Sequence, residues 1–274
     1  MIHNIAPHSL NNRFVPGVKP SADDMCICFR GRDIIVADGD GIRFPAVGDM
    51  PRGAHLQWLF TLDGGAVFLD TDDEQPPKGF VYVPLRSLRG KEPKHLVFSA
   101  WTAIHLAEWY RRNRFCGTCG HRTVPATDER ALDCPSCGRR IYPRLQPAVI
   151  VGVTYGDNLL LTHYADRPLA SWAMVAGFAE IGETLEETVA REVMEETGLH
   201  VSNIRYYKSQ PWGIEHDLLS GFYCDVTGDP TVYVDNIELR EAVWTPREQI
   251  TGQADDLSLT NEMMMVFKAG LEPK

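Results

Sequence analysis

Gly177-Phe-Ala-Glu-Ile-Gly-Glu183-Thr-Leu-Glu-Glu-Thr-Val-Ala-Arg191-Glu192-Val-Met-Glu195-Glu196-Thr-Gly198-Leu199 is the stretch from which the fold can be read. Thr184 followed three residues later by Glu187 is a capping box, so a helix is expected to start there. Leu185, Val189 and Val193 recur every four residues and form the stripe that such a helix buries. Gly198 supplies the left-handed residue that ends it. Glu192 stands three and four residues before Glu195 and Glu196, which places three carboxylates on one face. Like charges at this spacing cost a bare helix roughly a few tenths of a kcal/mol each. Arg191 is expected to offset part of that cost through Glu187 and Glu195. A solvated acidic face would show the same local pattern, but converging carboxylates are also what a hard divalent cation such as Mg²⁺ requires.

Working outward, the segment after Pro147 reads as a hairpin, with AVIVGV and LLLTHY around a YGDN turn. Strand-like runs IRYYK, HDLLSGFYCDV and LREAVWT follow the helix, and a Met-rich helix is expected near residues 258–269. Upstream, MCICFR and RDIIVA flank Gly31, HLQWLFTL and GAVFLD flank Asp63-Gly64, and GFVYVPL follows. Asp-Gly between alternating apolar runs is a strong hairpin signal. HLVFSAWTAIHLAEWYRR then places Leu96, Ala100, Ala103 or Ile104, and Ala107 at helical spacing. An antiparallel sheet covered by a helix is the expected N-terminal architecture.

Between these halves lie Cys116-Gly-Thr-Cys119, fourteen further residues, and Cys134-Pro-Ser-Cys137. Each pair lets one turn of chain aim two sulfurs at one ion. Four thiolates make the closed tetrahedral set of a structural zinc site, with no open position for catalysis. His121 is surplus to that set and is expected at the surface, whereas Cys26, Cys28 and Cys224 lie in apolar runs and are expected in the core.

The chain has 274 residues, a net charge of −10 and seven cysteines. That length predicts more than one domain, and the acidic balance argues against broad binding to nucleic acid or anionic lipid. No apolar run approaches membrane-spanning length, and the opening residues lack the pattern of a secretory signal. An odd number of cysteines, four of them in CxxC pairs, suits a reducing cytoplasm better than a disulfide scaffold.

The stretch from Gly177 to Leu199 resembles the Nudix box, Gx5Ex7REUxEExGU with U aliphatic, at every fixed position. The four-cysteine ribbon ahead of it and Ser209-Gln210-Pro211-Trp212 after it resemble the NADH pyrophosphatase branch of that family. The resemblance implies an α+β / α/β architecture in three parts: an N-terminal Nudix-like antiparallel-sheet domain (1–114), a zinc ribbon (115–143) and a C-terminal Nudix α/β/α sandwich (144–274). It implies Mg²⁺ or Mn²⁺ held by Glu192, Glu195 and Glu196, with Glu183 a further contributor, Glu241 a distal ligand and Arg191 orienting the carboxylates.

The same resemblance implies substrate contacts from Arg86, Tyr142, Ala176 and Phe178. It also implies a nucleotide pocket shaped by Gln210, Pro211, Trp212 and the five residues after them. The expected activity is hydrolysis of the pyrophosphate of NAD(H), and of NAD-capped RNA ends, by a homodimer. Gly213-Ile214-Glu215-His216-Asp217 stands where the branch has PFPxS, and Asn261 where it has an arginine. Glu215 and Asp217 are expected to repel a diphosphate unless a cation or His216 compensates. ADP-ribose or a dinucleoside polyphosphate is therefore the alternative substrate, and a non-catalytic nucleotide sensor or nucleic-acid-binding module using the zinc ribbon is a third reading.

Overall fold

The computed structural model describes residues 1–71, 75–165, 172–234 and 239–274. It divides into two compact units. One comprises residues 2–144 with Gly213–His216, the other Met1 with 145–212 and 217–274.

In the first unit the strands are β1 (Leu10–Asn11), β2 (Met25–Arg30), β3 (Asp33–Ala37), β4 (Leu56–Leu62), β5 (Gly65–Asp70) and β6 (Phe80–Pro84). They form one sheet in the order β1-β4-β5-β2-β3-β6. Its pairings are antiparallel except β2 with β5. Asp63 and Gly64 both take positive φ, 51° and 83°, as a two-residue hairpin turn needs. Helix α1 (Lys94–Arg112) follows and buries Val97, Ala100, Trp101 and Ile104, a 3.6-residue stripe. Cys26 and Cys28 lie in the core with Ile35 and Phe80.

The ribbon strands β7 (Val124–Pro125), β8 (Leu132–Asp133) and β9 (Arg140–Ile141) form a small sheet of their own. Trp109, in the last turn of α1, packs against Leu132 and Ile141. The ribbon is thus continuous with the unit built on the first sheet.

The second unit contains β10 (Gln146–Tyr155), β11 (Asn158–Tyr164), β12 (Val175–Phe178), α2 (Leu185–Thr197), β13 (His200–Trp212), β14 (Asp217–Thr227), β15 (Leu239–Pro246) and α3 (Leu259–Lys268). Sheet order is β13-β14-β10-β11-β15, with β12 also on β10. β10 runs parallel to β14 along one side. On its other side β12 pairs with its first half (Ala148 opposite Phe178), and β11 with its end.

Side chains on β10 alternate between two cores, as the two-residue period of a strand dictates. Val149, Val151 and Val153 join Val189 and Val193 of α2 on one face. On the other, Ile150 joins Met263, Met264 and Phe267 of α3. Each fully buried valine of α2 contributes about 1.5–3 kcal/mol. A sheet between two helices results, so this unit is an α/β/α sandwich.

Candidate active site and metal centres

Helix α2 is shaped by its ends. Thr184 Oγ1 accepts from the Glu187 N–H at 3.2 Å, and the Glu187 carboxylate accepts from the Thr184 N–H at 2.7 Å. Gly198 closes the helix at φ 71°. The Glu187 carboxylate is spent on this cap. Arg191 therefore takes Glu183 rather than Glu187, a departure from the helical-spacing expectation.

Arg191 is the hub of the site. Its Nε and Nη2 grip both oxygens of Glu183 at 2.6 and 2.9 Å. Its Nη1 reaches Glu192 at 2.8 Å and Glu195 at 2.9 Å, and Nη2 also donates to the Phe178 carbonyl at 2.9 Å. The guanidinium, with the Glu180 N–H and the Thr188 hydroxyl, pulls the Glu183 carboxyl down to about 2. Three carboxylates are thus oriented by one planar cation that cannot lose its charge.

Glu192 and Glu196 are buried, 9% and 4% exposed, while Glu195 is open to solvent. Gly177 on β12 faces Glu192 so closely that a Cβ there would fall 1.9 Å from the carboxylate carbon. The box glycine is therefore a cradle for the carboxylate. Two buried acids beside a third exposed one form an oxygen donor set that suits a hard divalent cation. Their oxygens are not gathered as the cysteine sulfurs are: among the described residues, only the ribbon brings three or more such donors within 4.8 Å of one another.

Ala176 and Phe178 flank Gly177 on β12, and the Phe178 ring is exposed. Glu241 is exposed on β15, opposite His163 of β11, and the His163 ring lies tilted against Trp172, centroids 3.8 Å apart. Gln210 is fully buried. Its amide donates to the Leu257 carbonyl at 2.8 Å and accepts from the Leu259 N–H at 2.6 Å, which fixes the start of α3. That position differs from the pocket wall expected of it. Pro211 is exposed and Trp212 half-buried at the end of β13, and Asp217 is buried at the start of β14. Asn261 accepts from the Gln253 N–H at 2.6 Å, pinning the loop ahead of α3.

In the first unit, Tyr142 is half-exposed and its hydroxyl donates to Glu129 at 2.9 Å. Arg140 holds the same Glu129 at 2.6 Å and both oxygens of Asp133. Arg86 donates to Glu215, and Arg32 lies 3.6 Å from the other oxygen of that carboxylate. The cation that compensates Glu215 is therefore arginine, while His216 turns to His105, ring centroids 4.9 Å apart. Arg32 and Glu129 were missed in the sequence, because no local pattern marks partners so far away along the chain.

The ribbon sulfurs converge as their spacing requires. Cys116 and Cys137 lie 3.6 Å apart, and Cys119 and Cys134 3.4 Å. The N–H groups of Thr118 and Cys119 pull the Cys116 thiol down to about 6, and those of Cys137 and Ser136 lower Cys134. Cys116 and Cys134 so disposed favour the thiolate that zinc needs, whereas Cys137, despite the Arg139 N–H, is pushed up by the hydrogen bonds it shares with Cys119 and Cys134. Four soft donors with matched spacing fit a structural Zn²⁺. His121 is exposed and Cys224 buried, as expected.

Residues 144–264 match the model of the NUDIX domain, and residues 111–142 that of the NADH pyrophosphatase zinc ribbon domain. The NAD-capped RNA hydrolase NudC of Pectobacterium atrosepticum is 35% identical over 223 residues, covering 79% of this chain and 84% of that protein. The enzyme of the same name from an Enterobacter species is 44% identical over 207 residues, covering 75% and 76%.

Proposed function

This chain belongs to the Nudix hydrolases that carry an NADH pyrophosphatase zinc ribbon, and from that premise we propose that it hydrolyses the pyrophosphate of NAD(H) to NMN(H) and AMP. NAD-capped RNA ends contain the same bond and are substrates in the same reading, in line with the name its relatives bear. The observation that carries the proposal is the α2 carboxylate set, with Glu192 and Glu195 oriented by Arg191 and Glu192 cradled on Gly177.

Glu192, Glu195 and Glu196 are the proposed holders of Mg²⁺ or Mn²⁺, with Glu241 a distal ligand. Such a cation, when bound, polarises phosphoryl oxygens and lowers the pKa of a bound water. The protein's own part is orientation. Arg191 fixes two of the acids, and Glu183 fixes Arg191. With both oxygens already taken by the guanidinium, Glu183 is read as a positioning residue rather than a further cation ligand. Phe178 offers a flat, exposed face on which a base can stack, beside the small Ala176. Arg86 and Tyr142 are further proposed substrate contacts.

A homodimer and a cytoplasmic location complete the reading. All seven cysteines are free, and no helix among the described residues is long and apolar enough to cross a membrane. A second reading, ADP-ribose or a dinucleoside polyphosphate as preferred substrate, is favoured by one observation: Gly213–His216 lack the rigid prolines of the branch. Purified protein with Mg²⁺ and a nucleotide panel, resolved by chromatography, tests both. NMNH and AMP from NADH at the highest kcat/KM support the first, and faster turnover of ADP-ribose the second.

A further inference from the structure

The turn Gly213–His216 is built into the unit of residues 2–144. Gly213 lies against the backbone of α1, where a Cβ would stand 1.9 Å from the Trp101 carbonyl oxygen. Ile214 is buried and lines a cavity of about 110 Å³ together with Leu85, Ile104, Arg32 and Arg86. These anchors fix the residue between Ile214 and His216. The two oxygens of Glu215 face different guanidiniums: Arg86 donates to Oε1, and Arg32 Nη2 lies 3.6 Å from Oε2. Arg32 Nη1 also approaches the Ile214 carbonyl at 3.5 Å.

All three side chains are open to water, Arg86 at 70%, Arg32 at 60% and Glu215 at 37% exposure. Ion pairs so exposed are weak and exchangeable. Two guanidiniums around one pair of oxygens are also the arrangement that grips a phosphate. Asp33 and Glu108 line the same cavity, and Glu108 is already neutralised by Arg111 and Arg112. Glu215 is the carboxylate in direct contact with the arginine pair, with Asp33 lining the same cavity.

We propose that Glu215 is a specificity-determining residue, an internal anion seated in a phosphate site formed by Arg32 and Arg86, which a ligand phosphate enters by displacing it. The proposal rests on the reading of Arg86 as a substrate contact. Neutral groups gain nothing over Glu215 at this seat, whereas a phosphate, anionic and with more acceptor oxygens than a carboxylate, does. Sequence position agrees: the carboxylate stands in the segment where this chain departs from its branch.

The test is equilibrium binding of inorganic phosphate to the zinc-loaded full chain without added divalent cation. Glu215→Gln should bind phosphate about fivefold more tightly than wild type, and Glu215→Gln combined with Arg32→Ala should lose that gain. Glu215→Ala serves as a second probe, and thermal midpoints verify that each variant is folded. Unchanged phosphate affinity in both Glu215 variants, or a gain that survives Arg32→Ala, would overturn the proposal. In parallel, the KM for NADH should fall in Glu215→Gln. Absence of NADH turnover in every form, wild type included, would defeat the NAD(H) reading while leaving the phosphate result to judge the seat.

Discussion

The carboxylate of Glu192 occupies the space that a side chain on residue 177 would take, its carbon 1.9 Å and its Oε1 2.0 Å from a Cβ placed on Gly177. Gly177→Ala should therefore push Glu192 off its seat and away from Arg191. A shift of about 1 Å in a reacting group can cost about 100-fold in rate. We expect kcat to fall by about that factor with the helical circular dichroism unchanged. Near wild-type kcat would mean that Glu192 can act from another rotamer.

Glu195→Gln should abolish hydrolysis while leaving the fold intact. Glu195 is the exposed member of the trio, so its amide costs little in packing, and Arg191 retains Glu183 and Glu192. Loss of a cation ligand should remove several kcal/mol of transition-state stabilisation, about three or more decades in kcat. Turnover close to wild type at saturating Mg²⁺ would refute α2 as the cation site.

The ribbon should hold one Zn²⁺ per chain with no part in chemistry. Elemental analysis of protein purified without chelator measures it directly. Replacing Cys134 and Cys137 together should release the metal and lower the thermal midpoint, because ligation of this kind is coupled to folding. A double variant that stays fully stable, or wild-type protein without zinc, would contradict the assignment.

Stability should decline as pH falls below about 6.5. Burial lowers the pKa of His105 and of His216 from that usual value, and in His216 the neighbouring His105 adds to the effect. The unfolded chain therefore takes up protons at a pH where the folded chain does not. Stability is greatest above the unfolded value and is lost on acidification through the window down to the folded values. Urea unfolding from pH 8 to 5.5 should show this fall, and His216→Gln should flatten it. An unaltered slope in the variant would place the dependence elsewhere.

Much of the catalytic half was legible because its information is local. The cap, stripe and stop of α2 all lie within one helix, and a 3.6-residue period is enough to place them. Cysteine pairs are equally local, since two residues of spacing fix two sulfurs. Arg191 was legible only in part: spacing suggested Glu187, but the helix cap claimed that carboxylate first. Long-range partners were beyond reach. Glu215 meets Arg86 across 129 positions and Gln210 meets Leu257 across 47, and nothing in either neighbourhood encodes the other. Gln210 illustrates the cost of position by analogy, because its buried amide is committed to the backbone ahead of α3. An unpaired amide partner there would cost about 1–3 kcal/mol.

The short turn between β13 and β14 makes the first unit discontinuous in sequence. Cutting the chain at residue 144 would not yield two self-contained halves: the N-terminal fragment would lack Ile214, leaving Ile104 and Leu85 without that apolar neighbour. A fragment starting at residue 145 would expose the same isoleucine. During synthesis, residues 2–144 leave the ribosome before the four residues that complete their core have been made. Packing of Ile214 beside Ile104 and Leu85 must therefore wait for the strand that precedes the turn, so this one contact forms backwards along the chain.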